Sequence, residues 1–114
     1  RHVWCAGALA RDYGLMGGRT LIAGKPHRPI YDAAMAAAAD ALGRPVERGE
    51  VLAIGDGMMT DVKGAADYGL DVLYVSAGIH AADYGDPDEP DAEQLAAFLN
   101  KHGHVPVAVI PRLR

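Results

Sequence analysis

The sequence has a single cysteine, Cys5, so no disulfide can form within the chain. A lone thiol is the usage of a reducing compartment, and the cytoplasm is the expected location. No apolar run approaches the roughly 18 residues that a membrane-spanning helix needs, and no signal peptide is visible. Basic residues are outnumbered: 11 Lys and Arg against 15 Asp and Glu leave a net charge of −4. That balance gives no electrostatic reason to expect nucleic acid or an anionic membrane as partner. Internal repeats are absent, and the only biased stretch is alanine-rich, from Ala33 to Ala41. An initiator methionine is missing too. The chain opens on Arg1 and runs almost directly into helix-like sequence, which leads us to expect a piece of something longer.

What is present suits one small globular domain. The 114 residues are half apolar and 23% charged, which excludes a disordered polyelectrolyte. Cys5 sits among Trp4, Ala6, Ala8 and Leu9 with no evident partner base, so a buried structural thiol is expected rather than a nucleophile.

Periodicity predicts a helix from Trp4 to Leu15, a turn at Gly17-Gly18, and a short strand from Thr20 to Ala23. After the Gly24–Pro29 loop, a helix to about Leu42 has a wide, alanine-rich apolar arc suited to close packing on a sheet, with Gly43 as its stop. Val51-Leu52-Ala53-Ile54 is wholly apolar, the pattern of a parallel strand buried on both faces. A short helix from Thr60 to Tyr68 follows, with Thr60 as candidate N-cap and Gly69 as stop, and then a strand from Asp71 to Val75. This strand–helix–strand unit is expected to cross over right-handed. Ser76–Pro90 reads as a polar, acidic loop, Asp91–Lys101 as a helix capped by Asp91, and Val107–Ile110 as a last strand. The class is therefore α/β with a mainly parallel sheet, in which ligands sit beyond the carboxyl ends of the strands.

Two such ends carry charge. Asp56 follows strand 51–54 between Gly55 and Gly57, and Asp61 lies in the first turn of the next helix. Glycines on either side let the chain turn sharply and a ligand come close. Magnesium takes oxygen ligands, often one or two carboxylates with waters and a substrate phosphate, so the pair suits a divalent ion bridging to phosphate. Asp56 as an ordinary turn residue and Asp61 as a helix-start acid explain the same spacing. Lys25, in Gly24-Lys25-Pro26, could neutralise a phosphoryl group or hold a carboxylate, or simply be solvated.

The segment GKPHRPIYDAA, followed about 20 residues later by VLAIGDGMMTDVKGAADYGLDVLYVSAGIH, closely resembles the third and fourth motifs of haloacid dehalogenase (HAD) phosphatases. The nearest subgroup carries a large cap domain and includes NagD-like and 4-nitrophenyl-phosphatase-like enzymes. The resemblance covers about Cys5 to His80. It implies a Rossmann-like core, three layers deep, and magnesium-dependent hydrolysis of a small phosphorylated metabolite through an aspartyl-phosphate. By this resemblance Asp56 ligates the magnesium directly and Asp61 supports the metal or its waters. Lys25 stabilises the nucleophilic carboxylate and the phosphoryl group, while Gly24, Gly55, Gly57 and Thr60 shape the phosphate loop. The nucleophile's own motif, D-x-D-G after an apolar strand, is missing, as are the Ser/Thr motif and the cap. The spelling Asp86-Pro87-Asp88 lies in an acidic loop with no strand before it. Residues 1–114 are thus expected to be the incomplete C-terminal part of one such core, inactive alone. Two rival readings stand beside this one. A Rossmann-type nucleotide or S-adenosylmethionine site would need glycine where Thr60 stands to complete Gly-x-Gly-x-x-Gly. A non-catalytic α/β remnant would need no site at all.

Overall fold

The computed structural model describes residues 4–114. Its elements run α1 (Ala6–Leu15), α2 (Arg28–Leu42), β1 (Leu52–Gly55), α3 (Lys63–Tyr68), β2 (Asp71–Val75), α4 (Ala92–His102) and β3 (Ala108–Ile110). The three strands form one parallel sheet in the order β1-β2-β3, with Leu52 opposite Asp71 and Leu73 opposite Ala108. The expected α/β class with a parallel sheet is what the chain adopts.

The core forms where β2 meets the chain on both sides of it. Val72 and Tyr74 of β2, Met58 and Val62 from the turn after β1, Ala65 of α3, Tyr31 of α2 and Tyr84 are its buried apolar members. Leu95, Phe98 and Leu99, one face of α4, pack against them from the second half of the chain. α4 starts as its sequence asks: the Asp91 carboxylate accepts from Gln94 N–H at 2.8 Å, which satisfies one of the helix's free donors. Gly43 and Gly69 close α2 and α3 with positive φ, 66° and 87°, a conformation glycine adopts without a Cβ penalty.

Four expectations fail, and one physical cause underlies three of them. Thr20–Ala23 forms no strand, and Leu21 is 91% exposed. Among the described residues no neighbouring strand pairs with it, and a strand needs a partner for its backbone groups. β1 is not buried on both faces: it is an edge of the sheet, with Leu52 and Ile54 about half exposed. The alanine arc of α2 buries only Tyr31, and α2 packs on α3 instead of lying flat on the sheet. In each case an apolar surface is present and its cover is not among these residues. The fourth failure is Cys5, which is exposed and precedes α1, a helix with no buried residue. The radius of gyration, 16.5 Å, also exceeds the roughly 13 Å of a compact domain of this length.

An open apolar edge strand is a template for pairing with another chain. The 114 residues by themselves are therefore expected to self-associate and to melt broadly, with a midpoint that depends on protein concentration. Sedimentation and thermal melts over a concentration series check this. A clean monomer with a sharp, reversible melt would count against it.

Candidate active site

The carboxyl ends of β1 and β2 gather the charged residues singled out above. β1 ends at Gly55, and the chain enters a π-helical turn, Met58–Val62, that runs on into α3. Gly57 is the N-cap of that turn and no side chain caps it, so the capping role expected of Thr60 is not filled by Thr60. Its backbone carbonyl instead lies 3.4 Å from the Tyr31 hydroxyl, which donates to it. The carbonyl of Gly57 accepts from the N–H groups of Thr60, Asp61 and Val62 at 3.3, 2.8 and 3.1 Å. Three donors of one helix start thus converge on one oxygen.

Asp61 is gripped at both oxygens. Oδ1 takes a hydrogen bond from Lys25 Nζ at 2.5 Å, and Oδ2 takes one from Gly57 N–H at 3.0 Å. The close approach requires Gly55: a Cβ there would lie 2.3 Å from Asp61 Cβ, inside any tolerable contact. Burial by itself would push the Asp61 carboxyl up, but the Lys25 ammonium and the Gly57 N–H outweigh it and hold the group below the usual carboxylate range. Lys25 is correspondingly raised, first by its hydrogen bond to Asp61. Lys25 reaches this position from the loop before α2, where Gly24 accepts from His27 N–H at 3.0 Å and the Lys25–Pro26 peptide is cis.

Asp56 is held on one side only. Its Oδ2 accepts from Ile79 N–H at 2.9 Å, and no hydrogen bond reaches Oδ1 among the described residues. Ile79 belongs to the loop after β2, which sequence reasoning passed over as polar connection. Gly78 in that loop has no room for a side chain, since a Cβ would meet Asp56 Oδ2 at 2.2 Å. The signal available in the sequence was the small-residue run Ser76-Ala77-Gly78 directly after a strand tip. Tyr84 anchors the far end of the loop: fully buried, it donates to the Ser76 carbonyl at 2.6 Å and lies 3.0 Å from the Tyr74 hydroxyl. Burial pushes the Tyr74 phenol well above its ordinary range, and the Tyr84 hydrogen bond adds to this, so both rings stay neutral and serve as struts.

Other polar residues are committed elsewhere. Arg28 pairs with Asp32 at 3.2 Å and lies over the Tyr68 ring. Asp86 accepts from the backbone of Asp88 and Glu89, and Asp88 pairs with Arg112 at 2.6 Å, so the Asp86-Pro87-Asp88 segment, expected as an acidic loop, is exposed and is bonded to its own backbone and to Arg112. Lys25 and Asp61 stand at one end of a groove of about 240 Å³ that continues along the open flank of β1, past Val51, Ala53 and Ile54.

Comparison with known proteins places this geometry in a family. A sequence model of HAD-hydrolase-like proteins matches residues 22–102. A hydrolase of the haloacid dehalogenase-like family from Brucella suis is 54% identical over 97% of this chain, with a TM-score of 0.68. A possible sugar phosphatase of the HAD superfamily from Cytophaga hutchinsonii is 21% identical over 91% of the chain, with a TM-score of 0.60. A p-nitrophenyl phosphatase from Archaeoglobus fulgidus is 23% identical over 91%, with a TM-score of 0.56. At those identities the two phosphatases attest the shared fold. The chain spans 38%, 32% and 34% of these three structures. No curated protein matches it significantly. Among the described residues no helix is long and apolar enough to cross a membrane. With its parallel sheet, its paired aspartates after β1 and a family match over residues 22–102, the chain belongs to the HAD superfamily of hydrolases.

Proposed function

We propose that this chain is the metal- and phosphate-binding part of a magnesium-dependent phosphohydrolase, acting on a small phosphorylated metabolite in the cytoplasm. The complete enzyme would join it to a segment carrying the aspartate nucleophile and the cap. The observation that carries the reading is the unequal treatment of the two aspartates. Asp61 has both oxygens engaged by the protein, whereas Asp56 keeps Oδ1 without a partner among the described residues.

Magnesium is a hard cation that takes few protein carboxylates and keeps sites for water and phosphate. Among the described residues no group of three or more metal-binding side chains converges, and two carboxylates at one strand end fit that sparse demand. Asp56 would supply the direct ligand through Oδ1, and Asp61 would orient waters and Lys25. The ion would contribute charge neutralisation at the phosphoryl oxygens. Lys25, with half its side chain exposed to the groove, would add a second positive charge there and steady the attacking carboxylate. Gly24, Gly55, Gly57 and Thr60 would give the phosphate a backbone wall that it can approach closely. The missing aspartate would attack phosphorus to form an aspartyl-phosphate, which water then hydrolyses.

The test is hydrolysis of an aryl phosphate by the complete enzyme with and without magnesium. Lys25→Ala is expected to lower kcat by about 10²-fold or more, the usual loss when one preorganised charge donor is removed, and to leave magnesium dependence in place. Full activity in the presence of a chelator would overturn the proposal. A nucleotide-cofactor site is disfavoured by the same geometry, because Lys25 and the Asp61 carboxylate meet where such a site would need open backbone.

A further inference from the structure

We propose that His80 is a positioning residue for the metal-binding turn: its Nε2 accepts the Met58 N–H and fixes the backbone on which Asp56 is carried. The inference rests on the assignment of Asp56 to the metal made above and adds a second element of the fold to that site.

The turn Gly55-Asp56-Gly57 has a glycine on each side of its acid, so the chain there has more freedom than any other residue pair would leave it. A ligand on such a hinge keeps its aim only if tethers outside the hinge hold it. Two neighbouring residues of the β2–α4 loop supply them. Ile79 N–H takes Asp56 Oδ2 at 2.9 Å, and His80 Nε2 takes Met58 N–H at 3.3 Å. Met58 is the first residue of the helical turn, so its N–H has no partner within the helix and needs one from elsewhere. To accept, Nε2 must carry no proton, which places the ring hydrogen of a neutral imidazole on Nδ1, 3.5 Å from Asp83 Oδ2.

The ring is also built in, not draped over the surface. Its side chain is 24% exposed. Its centroid lies 5.1 Å from the Phe98 ring and 6.4 Å from that of His102, both on α4. Phe98 in turn packs edge-on against the buried Tyr84 at 5.4 Å. α4 is thereby connected through one imidazole to a main-chain N–H two residues beyond Asp56. Such outer partners commonly govern metal affinity without touching the ion.

The experiment uses the complete enzyme and magnesium alone as probe, titrated calorimetrically into the metal-free protein. Two substitutions separate acceptor from packing. His80→Phe keeps an aromatic ring against Phe98 and removes the acceptor, whereas His80→Gln offers a side-chain oxygen in its place. His80→Phe is expected to weaken magnesium binding about tenfold or more, to speed amide exchange at Met58, and to lower kcat at fixed magnesium more than it raises KM. His80→Gln is expected to recover most of the affinity. A role in packing alone would lower the melting temperature and leave magnesium affinity where it was. Affinity within twofold of the unsubstituted enzyme in His80→Phe, with Asp56→Asn still defective, overturns the inference and spares the metal assignment. Equal affinity in Asp56→Asn and the unsubstituted enzyme overturns the metal assignment and this inference together.

Discussion

Asp56→Asn in the complete enzyme is expected to reduce magnesium-dependent turnover by at least about 10³-fold, equivalent to roughly 4 kcal/mol of transition-state stabilisation. The fold should survive the change. Asparagine has the same shape, and its side-chain carbonyl can still accept from Ile79 N–H, the one hydrogen bond the aspartate makes through Oδ2. What disappears is the anionic character of Oδ1, the oxygen that no described residue engages. A neutral amide attracts a strongly hydrated divalent ion far less than a carboxylate does. The expected pattern is a melting temperature close to that of the unsubstituted enzyme, lost metal affinity, and activity near background at all but very high magnesium. Asp61→Asn offers an internal comparison. It would break the ion pair to Lys25 and so should disturb the lysine as well as the metal. Near-normal turnover of Asp56→Asn at low magnesium would show that the ion, if used at all, is held elsewhere.

How much of this was legible in the sequence depends on the range of the interaction that decides each feature. Helices α2 and α4, strands β1 to β3 and their parallel arrangement follow from local patterns, namely apolar runs, glycine stops and the Asp91 cap. The Lys25–Asp61 contact spans 36 positions in the chain, yet the pairing was foreseeable from the opposite charges of two residues that each stand just before a helix, even though the strand expected ahead of Lys25 does not form. The tethers from Ile79 and His80 were not. One uses a backbone N–H, which every residue but proline owns, and the other an ordinary loop histidine, so neither residue type marks its tether, and only the small-residue run Ser76-Ala77-Gly78 before them hints at a close approach. Thr20–Ala23 fails for the opposite reason. Its pattern is a good strand pattern, but pairing is decided by a neighbour, and none is found among the described residues. The half-exposed Leu52 and Ile54 of β1 carry the same message from the other side of the gap.

The 114 residues by themselves are expected to show no phosphatase turnover above background and to bind magnesium weakly at most. A metal ligand and a lysine hold a phosphate and neutralise its charge, but hydrolysis also needs in-line attack. The groups at the carboxyl end of β1 already have other roles. Asp61 has one oxygen on Lys25 and the other on Gly57 N–H. His80 turns its lone pair to Met58 N–H, so it cannot at the same time take a proton from water. Asp56 oxygen bound to an ion is a poor nucleophile and a poor base. Asp86 and Asp88, the only D-x-D pair, are tied up in their own loop and by Arg112. Water acting without a positioned base forfeits general-base assistance worth typically 10²-fold to 10⁴-fold. Activity should therefore return only when a segment bearing the D-x-D-G strand is joined to this chain or added in trans, where the groove along β1 and the open sheet edge offer it a place to pair. The assay is aryl-phosphate hydrolysis by the purified 114-residue chain, with and without magnesium, beside its Asp56→Asn and Lys25→Ala variants. Magnesium-dependent turnover that both substitutions abolish would sink the claim, because these residues would then contain a nucleophile that the geometry described above does not provide.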